Sequence, residues 1–134
     1  NEFHRGGRAY NGGFYEYPQK GKKYLWPQLN ELYYNSSVSI SKRHIQDRLL
    51  FRQAIEAVRC FEEGVLSSVP EANIGSIFGI GFPAHTGGIL QFINAYGLPE
   101  FVAHAQTLAT RYGERFSPPT LLHTMVAEGR IFES

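Results

Sequence analysis

From Ile45 to Val65 apolar residues return every three or four positions, a spacing that suits one regular conformation, the α-helix. Leu50, Ala54, Ala57 or Val58, Phe61 and Val65 keep helical steps. Ile45, Leu49, Phe51 and Ile55 widen the apolar surface well beyond one stripe. A helix apolar on several sides belongs at the centre of a bundle. This one is expected to run from Lys42 or His44 to Glu63, with Gly64 near its C-terminal end. Glu56 is the odd member, surrounded by Ala54, Ile55, Ala57 and Val58. A buried carboxylate needs partners, so Glu56 is expected to be buried and to accept from N–H groups of the 79–88 loop or an adjacent helix start.

Beyond Gly64, glycine and proline punctuate the chain. Pro70 suits a first helical position and opens a helix to about Phe78. Another spans roughly Gly88 to Tyr96, with Gly97 expected as its left-handed cap. Pro99 starts a third that Gly113 stops, and a last one lies between Pro118-Pro119 and Gly129. Five helices joined by short turns predict an all-α, about five-helix bundle over residues 44–134. No strand alternates with them, so no nucleotide-binding parallel sheet is expected. Residues 1–43 read instead as an irregular N-terminal extension rich in Gly, Tyr, Lys and Asn. In it "GGFYEYP" suggests a short extended segment, a polar turn surrounds Gly21, and Trp26 is expected to pack onto the helical body.

Composition narrows the function classes. A chain of 134 residues fits one domain with a single core. A formal net charge of +1 gives no broad electrostatic footprint for nucleic acid. No apolar run reaches the roughly 18 residues of a membrane span. Cys60, the only cysteine, excludes an intrachain disulfide and points to a reducing, intracellular compartment: cytoplasmic, or organellar in a eukaryote. The chain opens on Asn1 without an initiator methionine or signal peptide, which suggests a piece of a larger protein.

The densest motif is "GSIFGIGFPAHTGG", residues 75–88. Gly79-Ile80-Gly81-Phe82-Pro83-Ala84 has the spacing of a dinucleotide fingerprint with alanine third. That fingerprint needs a strand before it, whereas the preceding segment reads as helix, and no lysine follows for a P-loop. The alternative is a corner in which Gly79 caps a helix, Gly81 takes a positive φ or packs closely, and Pro83 steers the chain to Gly87-Gly88. The five histidines stand far apart, and no metal-ligand spacing links them to one another or to Cys60. Cys60, mid-helix between Arg59 and Phe61, reads as a packed thiol. Phe51, Phe61, Phe78, Phe82 and Phe92 could line an acyl-chain groove, with core packing as the simpler reading. "HRGGRAYNGG" is a single short copy of an Arg-Gly pattern that binds RNA.

Taken together, "RLLFRQAIEAVRCFEEGV" and "EANIGSIFGIGFPAHTGGILQFINAYG" resemble the C-terminal helical domain of 3-hydroxyacyl-CoA dehydrogenases. The matching positions are Arg48-Leu49, Glu56-Ala57, Glu62-Glu63-Gly64, Gly79-Ile-Gly81-Phe-Pro83, Gly87-Gly88 and Asn94-Ala-Tyr-Gly97. The likeness is closest to the second copy of that domain in the large multifunctional subunit of fatty-acid β-oxidation. "GGFYEYP…LWP" is similar to the tail of the first copy. The resemblance implies a parent that oxidises L-3-hydroxyacyl-CoA with NAD and can carry enoyl-CoA hydratase activity. Its Rossmann domain and first helical repeat would be this segment's partners, with a thiolase subunit as a further one.

The departures shape the expectation for this segment. Asp47 stands where the first repeat has an active-site asparagine, Asn94 where it usually has aspartate, and Gly88 where it often has proline. The family's catalytic histidine–glutamate pair and NAD-binding glycines belong to the Rossmann domain and have no counterpart here. The segment is therefore expected to hold no catalytic, cofactor-binding or metal site. Glu56, Gly79, Gly81, Pro83, Gly87, Gly88 and Gly97 are read as structural motif residues. Its expected role is packing and assembly on the acyl-CoA side of the parent, inactive alone, with self-association of the isolated piece through uncovered apolar surface. The alternative is a freestanding helical module that binds acyl chains, or RNA weakly through Arg5 and Arg8.

Overall fold

The computed structural model describes residues 2–133 and divides the chain into two compact units, Asn1–Ile40 and Ser41–Ser134. The first unit is less irregular than its composition suggests. Strands β1 (Tyr15–Glu16) and β2 (Tyr24–Leu25) pair antiparallel, with Tyr15 opposite Leu25, and a short helix α1 (Gln28–Tyr33) follows. Gly21, in the connection between the strands, has φ 106°, open to glycine and costly for other residues. Within this unit Trp26 packs against Phe3 and Arg5. Phe3 meets its ring edge-on at 5.4 Å, and the Arg5 guanidinium lies 4.3 Å over it. Arg5 also donates to the Glu16 carboxylate at 2.8 Å and to the Gly13 carbonyl at 2.9 Å. Arg5, one of the two arginines of the Arg-Gly pattern, is thus engaged with partners inside its own unit.

The second unit is the all-α bundle. Its helices are α2 (Lys42–Glu62), α3 (Val69–Ile80), α4 (Ile89–Tyr96), α5 (Leu98–Tyr112) and α6 (Thr120–Glu128). Single 3-10 turns at Ala84–Thr86 and Glu114–Phe116 fill two of the connections. The Ser41 side chain accepts from the His44 amide to start α2, and Gly64, at φ 74°, lets the chain leave it. Pro70 is the second residue of α3, one position later than expected, because the helix opens at Val69 behind Ser68.

α2 runs through the middle of the bundle, with Phe51, Ala54, Ile55 and Val58 fully buried. Phe51 is the hub of an aromatic core. It stacks on Phe101 at 4.3 Å and 10°, and meets Tyr96 at 5.1 Å and Phe92 at 6.1 Å edge-on. Phe82 joins this group through Phe92, while Phe61 packs against Phe132. The five phenylalanines therefore do not line a common groove: four pack against other rings, and Phe78 is 86% exposed.

Candidate functional site

The first half of α2 and the chain from Ile80 to Thr86 face each other across a cleft of about 610 Å³. Leu49, Leu50, Ile80 and Phe92 give it apolar walls, while Arg43, Gln46, Asp47, Gln53 and His85 supply the polar groups. The motif glycines shape one side. Gly81 has φ 69° and ends α3, with the Phe82 amide donating to the Ser76 carbonyl at 2.9 Å and the Phe82 ring buried. Gly79 lies inside α3, so Gly81 takes the capping role the sequence had suggested for Gly79. Pro83 then turns the chain, and its carbonyl accepts from the Thr86 amide at 3.1 Å and hydroxyl at 2.7 Å. Gly87 closes that turn at φ 79°.

Gly88 shows why this corner is not a phosphate cradle. The amides of Ile89, Leu90 and Gln91 at the start of α4 point to side chains of α3. Ile89 donates to the Ser76 hydroxyl at 3.1 Å, and Leu90 and Gln91 donate to the Asn73 side-chain oxygen at 2.9 and 3.2 Å. Gly87 donates to Ala84 and Gly88 to the Thr86 hydroxyl. Every amide from Thr86 to Gln91 is already engaged, leaving none to hold an anion. The close approach depends on Gly88, where a Cβ would lie 2.5 Å from the Asn73 Cβ. Its φ of 114° also excludes proline at this position. Asn73 and Ser76 escaped the sequence reading. They are the two buried polar residues of α3, and polar side chains on an otherwise apolar helix face were the available signal.

Glu56 does not reach this corner. Its side chain is 51% exposed and receives Arg52 at 2.6 Å and Arg59 at 3.4 Å. The apolar neighbours that suggested burial lie on the other side of the helix, because adjacent residues are separated by about 100° of turn. The Arg52 hydrogen bond, helped by the Arg52 and Arg59 charges, holds the Glu56 carboxyl below its ordinary range. Gly97 has positive φ as expected, 89°, but its ψ of 121° is not left-handed helical. It serves as the joint at which α4 ends and α5 begins.

The ionisable groups lining the cleft are Arg43, Asp47 and His85. Asp47 is partly buried with Arg43 3.9 Å away, a loose ion pair. The histidines with hydrogen-bonded partners lie elsewhere: His104 is hydrogen-bonded to the Tyr96 hydroxyl at 2.7 Å, and His44 to the Tyr112 hydroxyl at 2.6 Å. Burial, with the Asp47 charge adding to it, raises the Tyr96 phenol above its usual value. Glu62 accepts from the Leu121 amide at 2.7 Å, and Glu71 from Ser67. Asn94 accepts from the Phe132 amide at 3.0 Å and donates to its carbonyl at 2.8 Å. Cys60 is a half-buried free thiol on α2. Among the described residues no group of His, Cys, Asp and Glu could hold a metal ion, and no helix is long and apolar enough to cross a membrane.

No protein-family model matches the chain. Among solved structures it is similar to FadB2 of M. tuberculosis, at 25% identity and a TM-score of 0.55, over 64% of this chain. The likeness is to a 3-hydroxyacyl-CoA dehydrogenase. The chain spans 29% of the length of FadB2.

Proposed function

We propose that this chain is the second helical repeat, with the tail of the first, of a multifunctional NAD-dependent 3-hydroxyacyl-CoA dehydrogenase of fatty-acid β-oxidation. In this reading it packs and assembles the enzyme and performs no chemistry itself. The similarity to FadB2, spanning less than a third of that protein, is the observation that carries the proposal. The site geometry agrees with it: the glycine corner is consumed by a helix-to-helix clasp, and Asp47 occupies the position of the family's active-site asparagine. The parent's NAD and its histidine base would reside in a Rossmann domain encoded upstream. Its acyl-CoA would pass on the side that this repeat helps to wall, and a thiolase subunit would be a further partner.

The outer face of α3 supports the packing role. Ile74 and Phe78 are 59% and 86% exposed one turn apart, and Gly75 and Gly79 beside them have open space above their backbone. Small residues between large apolar ones let another backbone approach closely. The first repeat is the partner this reading assigns to that face, and the parent would work in the cytoplasm or, in a eukaryote, an organelle. Sequencing the transcript upstream of the Asn1 codon tests the proposal. A strand-turn-helix segment with Gly-x-Gly-x-x-Gly and a preceding helical repeat is expected there. An upstream region with neither removes the basis for the reading.

A further inference from the structure

The first unit holds a pocket of its own, about 360 Å³ in volume and walled mainly by aromatic rings. Phe3, Phe14, Tyr15, Tyr17, Trp26 and Tyr33 line it. Phe14 and Tyr33 are 73% and 66% exposed, so the rim offers open ring surface to solvent. Arg5 is the one charged residue of the lining, and the Glu16 carboxylate at 2.8 Å cancels its charge. Lys23 lies 4.7 Å from the centre of the Tyr15 ring, outside the lining. The Trp26 indole N–H and the Tyr17 hydroxyl have no hydrogen-bond partner among the described residues, and both reach solvent. The pocket is thus neutral, aromatic, and equipped with accessible hydrogen-bond donors.

We infer that this pocket binds a proline-rich peptide in the polyproline II conformation. The other modes of peptide recognition lack their equipment here. Strands β1 and β2 have two residues each, too short an edge to template an added strand. A phosphorylated or acidic segment needs uncancelled guanidinium groups, and Arg5 is already paired with Glu16. An amphipathic helix uses its backbone carbonyls in its own hydrogen bonds. A polyproline II segment has no internal hydrogen bonds, so its carbonyls are free to accept from Trp26 and Tyr17. Its proline rings are apolar and uncharged, like the pocket, and carry no N–H for the pocket to satisfy. Aromatic-lined grooves suit such rings, and the preformed conformation loses little entropy on binding. The site concerns the first unit alone and stands whether or not the dehydrogenase reading holds.

Trp26 is the only tryptophan, so its indole N–H signal in NMR reports directly on this pocket. The isotopically labelled 134-residue chain is titrated with end-capped decaproline. The comparison probes are a capped glycine–serine decamer, a phosphoserine-bearing decamer and an amphipathic helical peptide. Decaproline should shift the indole signal and the amides of residues 13–17 saturably. It should bind at least about tenfold more tightly than each comparison peptide. Tyr33→Ala should weaken binding at least about threefold, the loss of one packed ring. Tyr34→Ala, on an exposed ring outside the pocket, should leave it unchanged. Tyr17→Phe removes only a hydroxyl and should weaken binding about threefold, and it decides the matter if Tyr33→Ala is unfolded. No saturable shift, a preference for any comparison peptide, or equal losses in Tyr33→Ala and Tyr34→Ala would overturn the assignment.

Discussion

Asn94 shows how one atom type fixes a residue's identity in this chain. Its side chain offers an acceptor to the Phe132 amide and a donor to the Phe132 carbonyl, holding the C-terminal segment against α4. Aspartate at this position would keep the acceptor and set a negative charge against the carbonyl. Asn94→Asp is therefore expected to lower stability by about 1–3 kcal/mol, the penalty for an unsatisfied, partly buried polar group. Chemical denaturation measures it. Glu56 teaches the opposite lesson. Half exposed, its pair with Arg52 is screened, and Glu56→Gln should change stability at neutral pH by no more than about 1 kcal/mol. Its folded-state carboxyl is lowered, so the pair's contribution is present above the ordinary value of 4.5 and is lost as pH falls through the folded value. Thermal melts of the two proteins should differ slightly at neutral pH and coincide once the carboxyl is protonated. A large neutral-pH difference would show that Glu56 has a deeper role than its surface pair provides.

At the scale of elements, two helices obtain their N-terminal caps from other helices. α4 starts at Gly88 and α6 at Pro119, neither of which has a capping side chain. Asn73 and Ser76 of α3 cap α4, and Glu62 at the end of α2 caps α6. Asn73→Ala leaves the Leu90 and Gln91 amides without their acceptor and should cost about 2 kcal/mol or more. Gly88→Ala meets the Asn73 backbone at 2.6 Å and a φ of 114°, and should cost at least as much. Hydrogen exchange should find α4 opening earlier in both variants; unchanged α4 protection would mean the clasp contributes little.

These clasps also mark where the sequence stops being readable. The bodies of α2 to α6 were legible because apolar spacing and Gly or Pro punctuation are local signals. The caps of α4 and α6 were not, since the acceptor lies 17 residues from Leu90 and 59 from Leu121. Burial of Glu56 was inferred from its neighbours in sequence, whereas helical turn decides which side each residue faces. The Ser68-x-x-Glu71 start of α3 was a local signal and could have been found. In the candidate cleft, Asp47 and the glycine corner were visible in the sequence through the family likeness.

The whole molecule joins a well-packed aromatic core to an outer face that is unusually apolar. Ile74, Phe78 and Ile80 are 59%, 86% and 61% exposed. An apolar helix face of this kind marks a surface that another element covers. The chain alone should therefore self-associate as its concentration rises, and Phe78→Asp should restore a monomer in sedimentation velocity. Identical sedimentation of both proteins would exclude that face as the contact. The same account places the chemistry outside this chain, and the most direct measurement is NADH absorbance from the purified protein given NAD and L-3-hydroxyacyl-CoA. A sample whose cooperative melt shows it folded should produce no NADH above the protein-free blank; sustained NADH formation would contradict the account.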